Sequence, residues 1–152
     1  MTASKPKRLL AISSGGGHWD ELVLLQPAFD GFATTYATTM PGQAQRDGVA
    51  ARIVTDSNRN SCLNLLRTGW DVLWLMIEIR PHYVVSTGAT PGLIAVMLGK
   101  LFGARTIWID SIANAETLSM SGRIARPVAD LHLSQWQHLA DGRATRFMGS
   151  VL

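Results

Sequence analysis

His18 is the residue of this sequence best placed to do chemistry, because it follows a short segment of small residues. These residues are Ser14, Gly15, Gly16 and Gly17. The apolar segment 9–12 predicts a buried strand before them, and segment 19–25 predicts a helix after them. Glycines let the backbone bring N–H groups close to an anion, and a helix N-terminus adds about half a positive charge. We therefore predict a phosphate or diphosphate site, with an imidazole that can donate to phosphate or accept a hydroxyl proton.

The glycine segment does not fit either of two common nucleotide-binding motifs. Counted from Gly15, a G-x-G-x-x-G fingerprint would place the carboxylate of Asp20 where the third glycine should stand. A P-loop ends in Gly-Lys followed by Ser or Thr, and here Gly17 is followed by His18. ATP hydrolysis is therefore disfavoured. Two alternatives stay open at this point: a tight turn without a ligand, and His18 as a surface residue that caps the helix.

Two further predicted strands end in residues of interest. The strand 82–86 precedes a predicted loop over 87–92, and the buried strand 105–109 precedes Asp110 and Ser111. The loop contributes the candidate anion-binding residues Thr87, Gly88, Ala89, Thr90 and Gly92. Open α/β sheets bind ligands at the carboxyl ends of their strands. The histidines and the single cysteine show no metal-ligand spacing, so we expect no metal site.

The alternation of strand and helix patterns predicts the fold. Strands are predicted over 9–12, 33–38, 52–54, 82–86, 105–109, 131–133 and 145–149. Helices are predicted over 19–25, 60–80, 93–102, 121–129 and 135–140, with a loop or ragged helix between 40 and 48. With short connections, this order predicts a Rossmann-like, doubly wound parallel α/β sheet with helices on both faces. We expect one domain over 1–152, with residues 1–7 as a flexible tail.

Composition narrows the class of protein. With 152 residues, of which 47% are hydrophobic, the chain can bury the core of one domain. The net charge of +3 is modest and forms no basic stripe, so no nucleic-acid partner is expected. The single cysteine, Cys62, excludes an internal disulfide and suits a reducing compartment such as the cytoplasm. No segment reaches the roughly 20 apolar residues needed to span a bilayer.

Several residues are candidates for contact with a membrane or a protein partner. Segment 70–79, which contains Trp70 and Trp74, is apolar nearly all round, so part of it must meet the core, a partner or a shallow membrane surface. Arg123 and Arg126 can pair with acceptor phosphate or lipid headgroups, or form a solvated helix face. Trp136 can contribute to a subunit interface or to the core.

Three motifs, in order, resemble those of one family. They are residues 14–18, 86–92 and 108–111, supported by 118–123, 127–130 and 135–136. Together they resemble the acceptor-side half of two-component GT-B glycosyltransferases. That family includes PssD-type bacterial exopolysaccharide proteins and the membrane-anchored subunit of the eukaryotic enzyme that adds the second GlcNAc to dolichol-diphosphate-GlcNAc. The chain is also similar to the N-terminal half of MurG-like enzymes.

The resemblance implies a single GT-B half-domain that binds a polyprenyl-diphosphate-linked saccharide. A separate PssE-like subunit would hold the UDP-sugar donor, so this chain would bind no cofactor and would be inactive alone. The location implied is peripheral, at the cytoplasmic face of the membrane. His18 or Asp110 would act as general base, while the residues of the two glycine segments and Ser111 would contact the acceptor and its diphosphate.

Two other functions compete with this interpretation. One is a non-catalytic adaptor whose apolar 70–79 segment recruits a complete enzyme to the membrane. The other is a small nucleotide-binding Rossmann protein that uses Gly15 to Gly17. The second alternative predicts an acid at the end of the second strand, where the sequence has Thr38, Thr39 and Met40 instead.

Overall fold

The described part of the chain folds around one parallel sheet of seven strands. The computed structural model describes residues 5–57 and 61–152, so the first four residues of the predicted tail, and Asn60, the predicted start of the long helix, lie outside the described residues. The strands are β1 (Arg8–Ser13), β2 (Ala33–Thr38), β3 (Ala51–Ile53), β4 (Tyr83–Gly88), β5 (Arg105–Ile109), β6 (Leu131–Ser134) and β7 (Arg146–Phe147).

The strand order is β3-β2-β1-β4-β5-β6-β7, and every neighbouring pair is parallel. The predicted doubly wound α/β sheet is therefore confirmed. From β1 the chain adds β2 and β3 on one side of this strand, and it then crosses over to add β4 to β7 on the other side. The crevice beyond the carboxyl ends of β1 and β4 is the topological switch point, where such sheets bind their ligands.

Within the described ranges, five α-helices connect the strands. They are α1 (Gly17–Leu24), α2 (Pro41–Arg46), α3 (Cys62–Ile79), α4 (Ala89–Leu101) and α5 (Met120–Ala125). Two short 3-10 helices cover Gln26–Phe29 and Gln137–Leu139. Helix α3 begins where the Ser61 hydroxyl accepts a hydrogen bond of 3.2 Å from the N–H of Asn64. It ends at Arg80, whose left-handed φ of 47° turns the chain before Pro81.

Both faces of the sheet are covered by helices. Helices α3, α4 and α5 pack on one face, in a cluster that includes Trp108, and α1 and α2 pack on the other, in a cluster that includes Trp19. Consecutive residues of β1, such as Leu9 and Leu10, therefore enter different clusters. This double burial explains why β1 is a continuous apolar run rather than an alternating one.

The largest error of the sequence prediction lies at the junction of β4 and α4. No loop covers 87–92: β4 continues through Gly88, and α4 begins at Ala89. The junction is abrupt because Gly88 has φ 143° and Ala89 has φ 63°, both positive. Helix α1 also begins two residues earlier than predicted, so His18 lies in the first turn of the helix.

The remaining differences concern element ends. Helix α5 stops at Ala125, two residues before Pro127, which cannot continue its hydrogen bonding. The predicted helix over 135–140 is one 3-10 turn, and β7 keeps only two residues of the predicted 145–149 strand.

Candidate active site

His18 is held at the switch point by a reciprocal pair of hydrogen bonds to β4. Its Nδ1 lies 3.0 Å from the carbonyl oxygen of Thr87, and the Thr87 hydroxyl donates to the carbonyl of His18 at 2.6 Å. Because a carbonyl can only accept, Nδ1 must carry the proton in this arrangement. The neutral imidazole then has its lone pair on Nε2, so Nε2 is the atom that can take a proton from a substrate.

The backbone of β4 is shaped to receive this imidazole. A Cβ atom at Gly88 would lie 2.5 Å from His18 Nδ1, so only glycine fits. A Cβ atom at Gly92 would collide with the hydroxyl of Ser86, which means that Gly92 allows α4 to pack closely on β4. Thr87, Gly88 and Gly92 are all buried. Thr87, Gly88 and Gly92 thus position His18 and α4, and their contact with a diphosphate stays a prediction.

Two N–H groups of the first glycine segment donate hydrogen bonds to side chains of the protein itself. The N–H of Gly15 donates to the Thr39 hydroxyl at 2.9 Å, and the N–H of Gly16 donates to Gln43 Oε1 at 2.6 Å. These two N–H groups are therefore used within the fold, and the predicted anion contact of Gly15 and Gly16 stays a prediction. The N–H groups of Gly17 and His18, in the first turn of α1, have no acceptor among the described residues.

The hydroxyl of Ser14 also bonds within the fold, because it donates to the carbonyl of Gly15 at 3.2 Å. Thr39 and Gln43, the partners of the glycine segment, were missed by sequence reasoning. Their position just after β2, beside the strand that carries the glycines, was the available signal.

A polar cleft of about 430 Å³ opens in front of His18. Its lining residues are His18, Ser57, Ala89, Thr90, Asn114, Ser119 and Ser121. His18 comes from the first turn of α1, and Ala89 and Thr90 come from the first turn of α4. Since the N-terminal end of a helix carries partial positive charge, the two helix starts together favour an anion in this cleft.

Four cleft residues were not predicted: Ser57, Asn114, Ser119 and Ser121. Each of them follows a strand in the chain, and Ser119 and Ser121 lie within a segment that carries the family resemblance. Of the predicted anion-binding residues, Ala89 and Thr90 reach the cleft beside His18.

Asp110 is buried, with 2% of its surface exposed, and it is not among the residues that line the polar cleft. Its carboxylate accepts from the Trp108 indole at 3.0 Å, and from the N–H and hydroxyl of Ser119 at 2.8 and 2.5 Å. The Ser119 hydroxyl in turn caps α5 by accepting from the N–H of Gly122. The structure therefore gives Asp110 the position of a residue that anchors α5, and the geometry does not support its predicted role as general base.

Glu21 forms a second buried carboxylate cluster, with residues of the segment after β5 and of the segment after β6. It is 5% exposed, and it accepts from the Ser111 hydroxyl at 2.7 Å, the N–H of Ile112 at 3.2 Å and the Gln135 amide at 2.9 Å. Ser111, predicted to contact the acceptor, is thus directed to Glu21. Sequence reasoning missed Glu21; the signal was a carboxylate next to Leu22 on the buried face of α1.

The other predicted contact residues divide into two groups. The half-buried Trp136 donates its indole N–H to the carbonyl of Ile112 at 2.7 Å, and so holds the loop after β5. Arg126 pairs with Asp141, whose pKa falls to about 2 because the N–H groups of Thr145 and Arg143 stabilise its carboxylate. These residues therefore contribute to the fold around the cleft.

The exposed candidates are Trp70 and Trp74 on α3 and Arg123 on α5. The two indoles are 60% and 54% exposed, and they pack edge to face with centroids 6.0 Å apart. Within residues 5–57 and 61–152 there is no helix long and apolar enough to span a membrane, and no group of three or more His, Cys, Asp or Glu side chains that could hold a metal.

The parallel sheet and its switch-point cleft define this chain as a Rossmann-like GT-B half-domain. MurG from Acinetobacter baumannii superposes with a TM-score of 0.75 at 11% identity, over 94% of this chain and 46% of MurG. A UDP-N-acetylglucosamine 2-epimerase from Rickettsia bellii gives a TM-score of 0.71 at 13% identity, over 96% of this chain and 45% of the epimerase. The chain is therefore comparable to one half of these longer proteins.

The sequence profile of the Alg14-like oligosaccharide biosynthesis proteins matches residues 46–151, and the chain belongs to this family. Two relatives carry the name UDP-N-acetylglucosamine transferase subunit ALG14. The Eremothecium gossypii protein is 37% identical over 81 residues, which cover 47% of this chain and 35% of the relative. The Mus musculus protein is 24% identical over 178 aligned positions, which cover 93% of this chain and 81% of the relative.

Proposed function

We propose that this chain is the acceptor-side subunit of a two-chain glycosyltransferase. It would bind a polyprenyl-diphosphate-linked saccharide, while a separate PssE-like chain would hold the UDP-sugar. The family membership and the MurG-like fold support the class, and the names of the two relatives favour UDP-N-acetylglucosamine as donor. The polar cleft supports the acceptor, because its two helix starts suit a diphosphate.

The 3.0 Å contact between His18 Nδ1 and the carbonyl oxygen of Thr87 is the observation that carries this proposal. The carbonyl of Thr87 fixes the proton on Nδ1, which leaves Nε2 as a base in a cleft that also favours an anion. In the reaction, the acceptor hydroxyl would give its proton to Nε2 while its oxygen forms a bond to the anomeric carbon of the donor. The bond from that carbon to the β-phosphate would break, and UDP would leave with the electron pair.

The diphosphate would lie between the first turns of α1 and α4. The N–H groups of Gly17 and His18, which have no acceptor in the described part of the chain, would contact it from one side. The N–H groups of Ala89 and Thr90 would contact it from the other. Each helix start would contribute about 0.3 to 1 kcal/mol toward binding the anion. Thr90 can add a hydroxyl donor, since it lines the cleft.

The exposed face of α3 would provide a peripheral contact with the cytoplasmic side of the membrane. Leu66, Trp70, Trp74 and Ile77 are 71%, 60%, 54% and 41% exposed along this helix. Tryptophan is favoured at the membrane interface, and an amphipathic helix can lie in it without spanning the bilayer. The membrane contact would bring the cleft to a lipid-linked acceptor, as in a pathway for polysaccharides or glycolipids.

The test is sugar transfer from radiolabelled UDP-N-acetylglucosamine to a synthetic polyprenyl-diphosphate saccharide. The chain is assayed alone and with a co-expressed candidate donor-binding chain, and we expect transfer only with both. His18→Gln should lower kcat by about 10² to 10⁴ while the two chains still co-purify. His82→Gln is the matched control, because His82 lies just before the N-terminal end of β4, whereas Thr87 and the cleft lie at the C-terminal end. Full activity of His18→Gln would refute the catalytic role and favour the adaptor.

A further inference from the structure

A second cleft, of about 250 Å³, lies between α3, α4 and α5. Its apolar lining comes from these three helices, through Leu65, Leu93, Met120 and Ile124. It shares three lining residues with the polar cleft, which are Ser57, Thr90 and Ser121. An apolar compartment and a polar compartment therefore meet beside the first turn of α4.

The apolar side chains of this second cleft are unusually exposed for residues that surround a depression. Leu65, Met120 and Ile124 are 46%, 43% and 48% exposed, although Ala95 and Val96, farther along α4, are fully buried. Side chains from separate helices thus surround a space that none of them fills. Exposed apolar surface of this kind, bordered by serines, is typical of a ligand groove.

We propose that the apolar cleft binds the isoprene units nearest the diphosphate of the lipid acceptor. This inference rests on the proposed function, and it adds the hydrocarbon part of the substrate to the site. The two clefts are continuous, so a ligand that fills both must carry an anionic group directly beside a hydrocarbon chain. A polyprenyl diphosphate has this chemistry, with the diphosphate before His18 and the chain directed along α3 and α5.

Cys62 provides a reporter inside this cleft. It is exposed, it lines the apolar cleft, and it is the only cysteine of the chain. The rate at which an aromatic disulfide reagent modifies the thiol is measured with increasing farnesyl diphosphate. We expect farnesyl diphosphate to slow the reaction at least ten-fold at saturation. Inorganic diphosphate at the same concentrations should leave the rate within two-fold of its starting value.

Two substitutions test whether the apolar lining makes the contact. Each buried methylene group raises affinity about four-fold, so Leu65→Asn and Ile124→Asn should each weaken protection by farnesyl diphosphate at least ten-fold. Both side chains are about half exposed, so these variants should fold. Leu101→Asn is the matched control, since Leu101 is 81% exposed at the far end of α4. In this variant, farnesyl diphosphate should protect Cys62 as well as it does in the unchanged chain.

The outcomes separate this inference from the proposed function. Any of three results would overturn the apolar site. Farnesyl diphosphate could protect Cys62 undiminished in Leu65→Asn and Ile124→Asn. Alternatively, inorganic diphosphate, or phosphatidylglycerol vesicles without isoprenoid, could protect Cys62 equally well. His18-dependent sugar transfer without any protection of Cys62 would also overturn it, while leaving the proposed function standing. Protection of Cys62 with no transfer by the verified two-chain complex would support the apolar site and count against the glycosyltransferase.

Discussion

Removal of the Glu21 carboxylate should destabilise the protein strongly, although Glu21 lies outside the cleft. Glu21→Ala leaves two buried donors, the Ser111 hydroxyl and the Gln135 amide, and one part-buried donor, the N–H of Ile112, without their acceptor. An unsatisfied buried donor costs about 1 to 3 kcal/mol. Because neighbouring effects are not additive, we take the lower end of the sum, a loss of about 3 kcal/mol in the free energy of unfolding. For a domain of this size, that loss lowers Tm by about 6 to 12 °C.

Glu21→Gln should cost less, at about 1 to 2 kcal/mol, because it keeps the oxygen that serves Ser111 and Ile112 and opposes only the Gln135 amide. Urea unfolding followed by tryptophan fluorescence measures both variants, since Trp19 and Trp108 are fully buried.

Glu78→Ala is the control for this series, because Glu78 pairs with Arg52 at the surface, where both side chains are about half exposed. Its unfolding midpoint should stay close to that of the unchanged chain. If Glu21→Ala shifts the unfolding midpoint no more than Glu78→Ala does, the Glu21 carboxylate does not stabilise the fold in this way. A further consequence is that Glu21→Ala should also lower sugar transfer, because Glu21 holds the start of the loop that brings Asn114 to the cleft.

Three further outcomes are expected. Gly88→Ala should cost about 1 to 3 kcal/mol and reduce transfer, because its Cβ would lie 2.5 Å from His18 Nδ1 at a φ of 143°; unchanged activity and Tm would contradict this geometry. Asp110→Asn should lower the free energy of unfolding by about 1 to 3 kcal/mol, since one oxygen must replace two among three donors; a drop in kcat at unchanged stability would instead revive Asp110 as base. Burial lowers the pKa of His132 below its ordinary 6.5, so the unfolded chain binds the proton more readily, and stability should be full above pH 6.5 and fall as the pH decreases below it; His132→Gln should flatten this part of the urea-midpoint profile.

Much of the fold could be predicted because it depends on local patterns. The strands 33–38 and 105–109 were predicted with the bounds that the structure has, since each is an apolar or β-branched segment between clear breaks. The β4–α4 junction could not, because small residues such as Gly88 and Ala89 are compatible with a loop as well as with an abrupt turn. The positive φ values that decide between them depend on the packing of His18 against the strand.

The candidate site divides in the same way. The position of His18 after a strand and a glycine segment was readable, because both signals are local. The roles of Asp110 and Glu21 were not, because a carboxylate after a strand or on a helix reads the same whether it faces a substrate or a buried donor. Burial at 2% and 5%, together with donors supplied by other elements, decides their roles.

Local sequence patterns were enough to predict the alternation of strands and helices, the buried central strands and the glycine-rich turn before His18. These follow from hydrophobic periodicity and backbone freedom, which act over a few neighbouring residues. Long-range packing, in contrast, brings His18 to Thr87, 69 residues later, and Glu21 to Gln135, 114 residues later. Such pairs depend on which strands become neighbours in the sheet, and the packing of the whole chain settles that order.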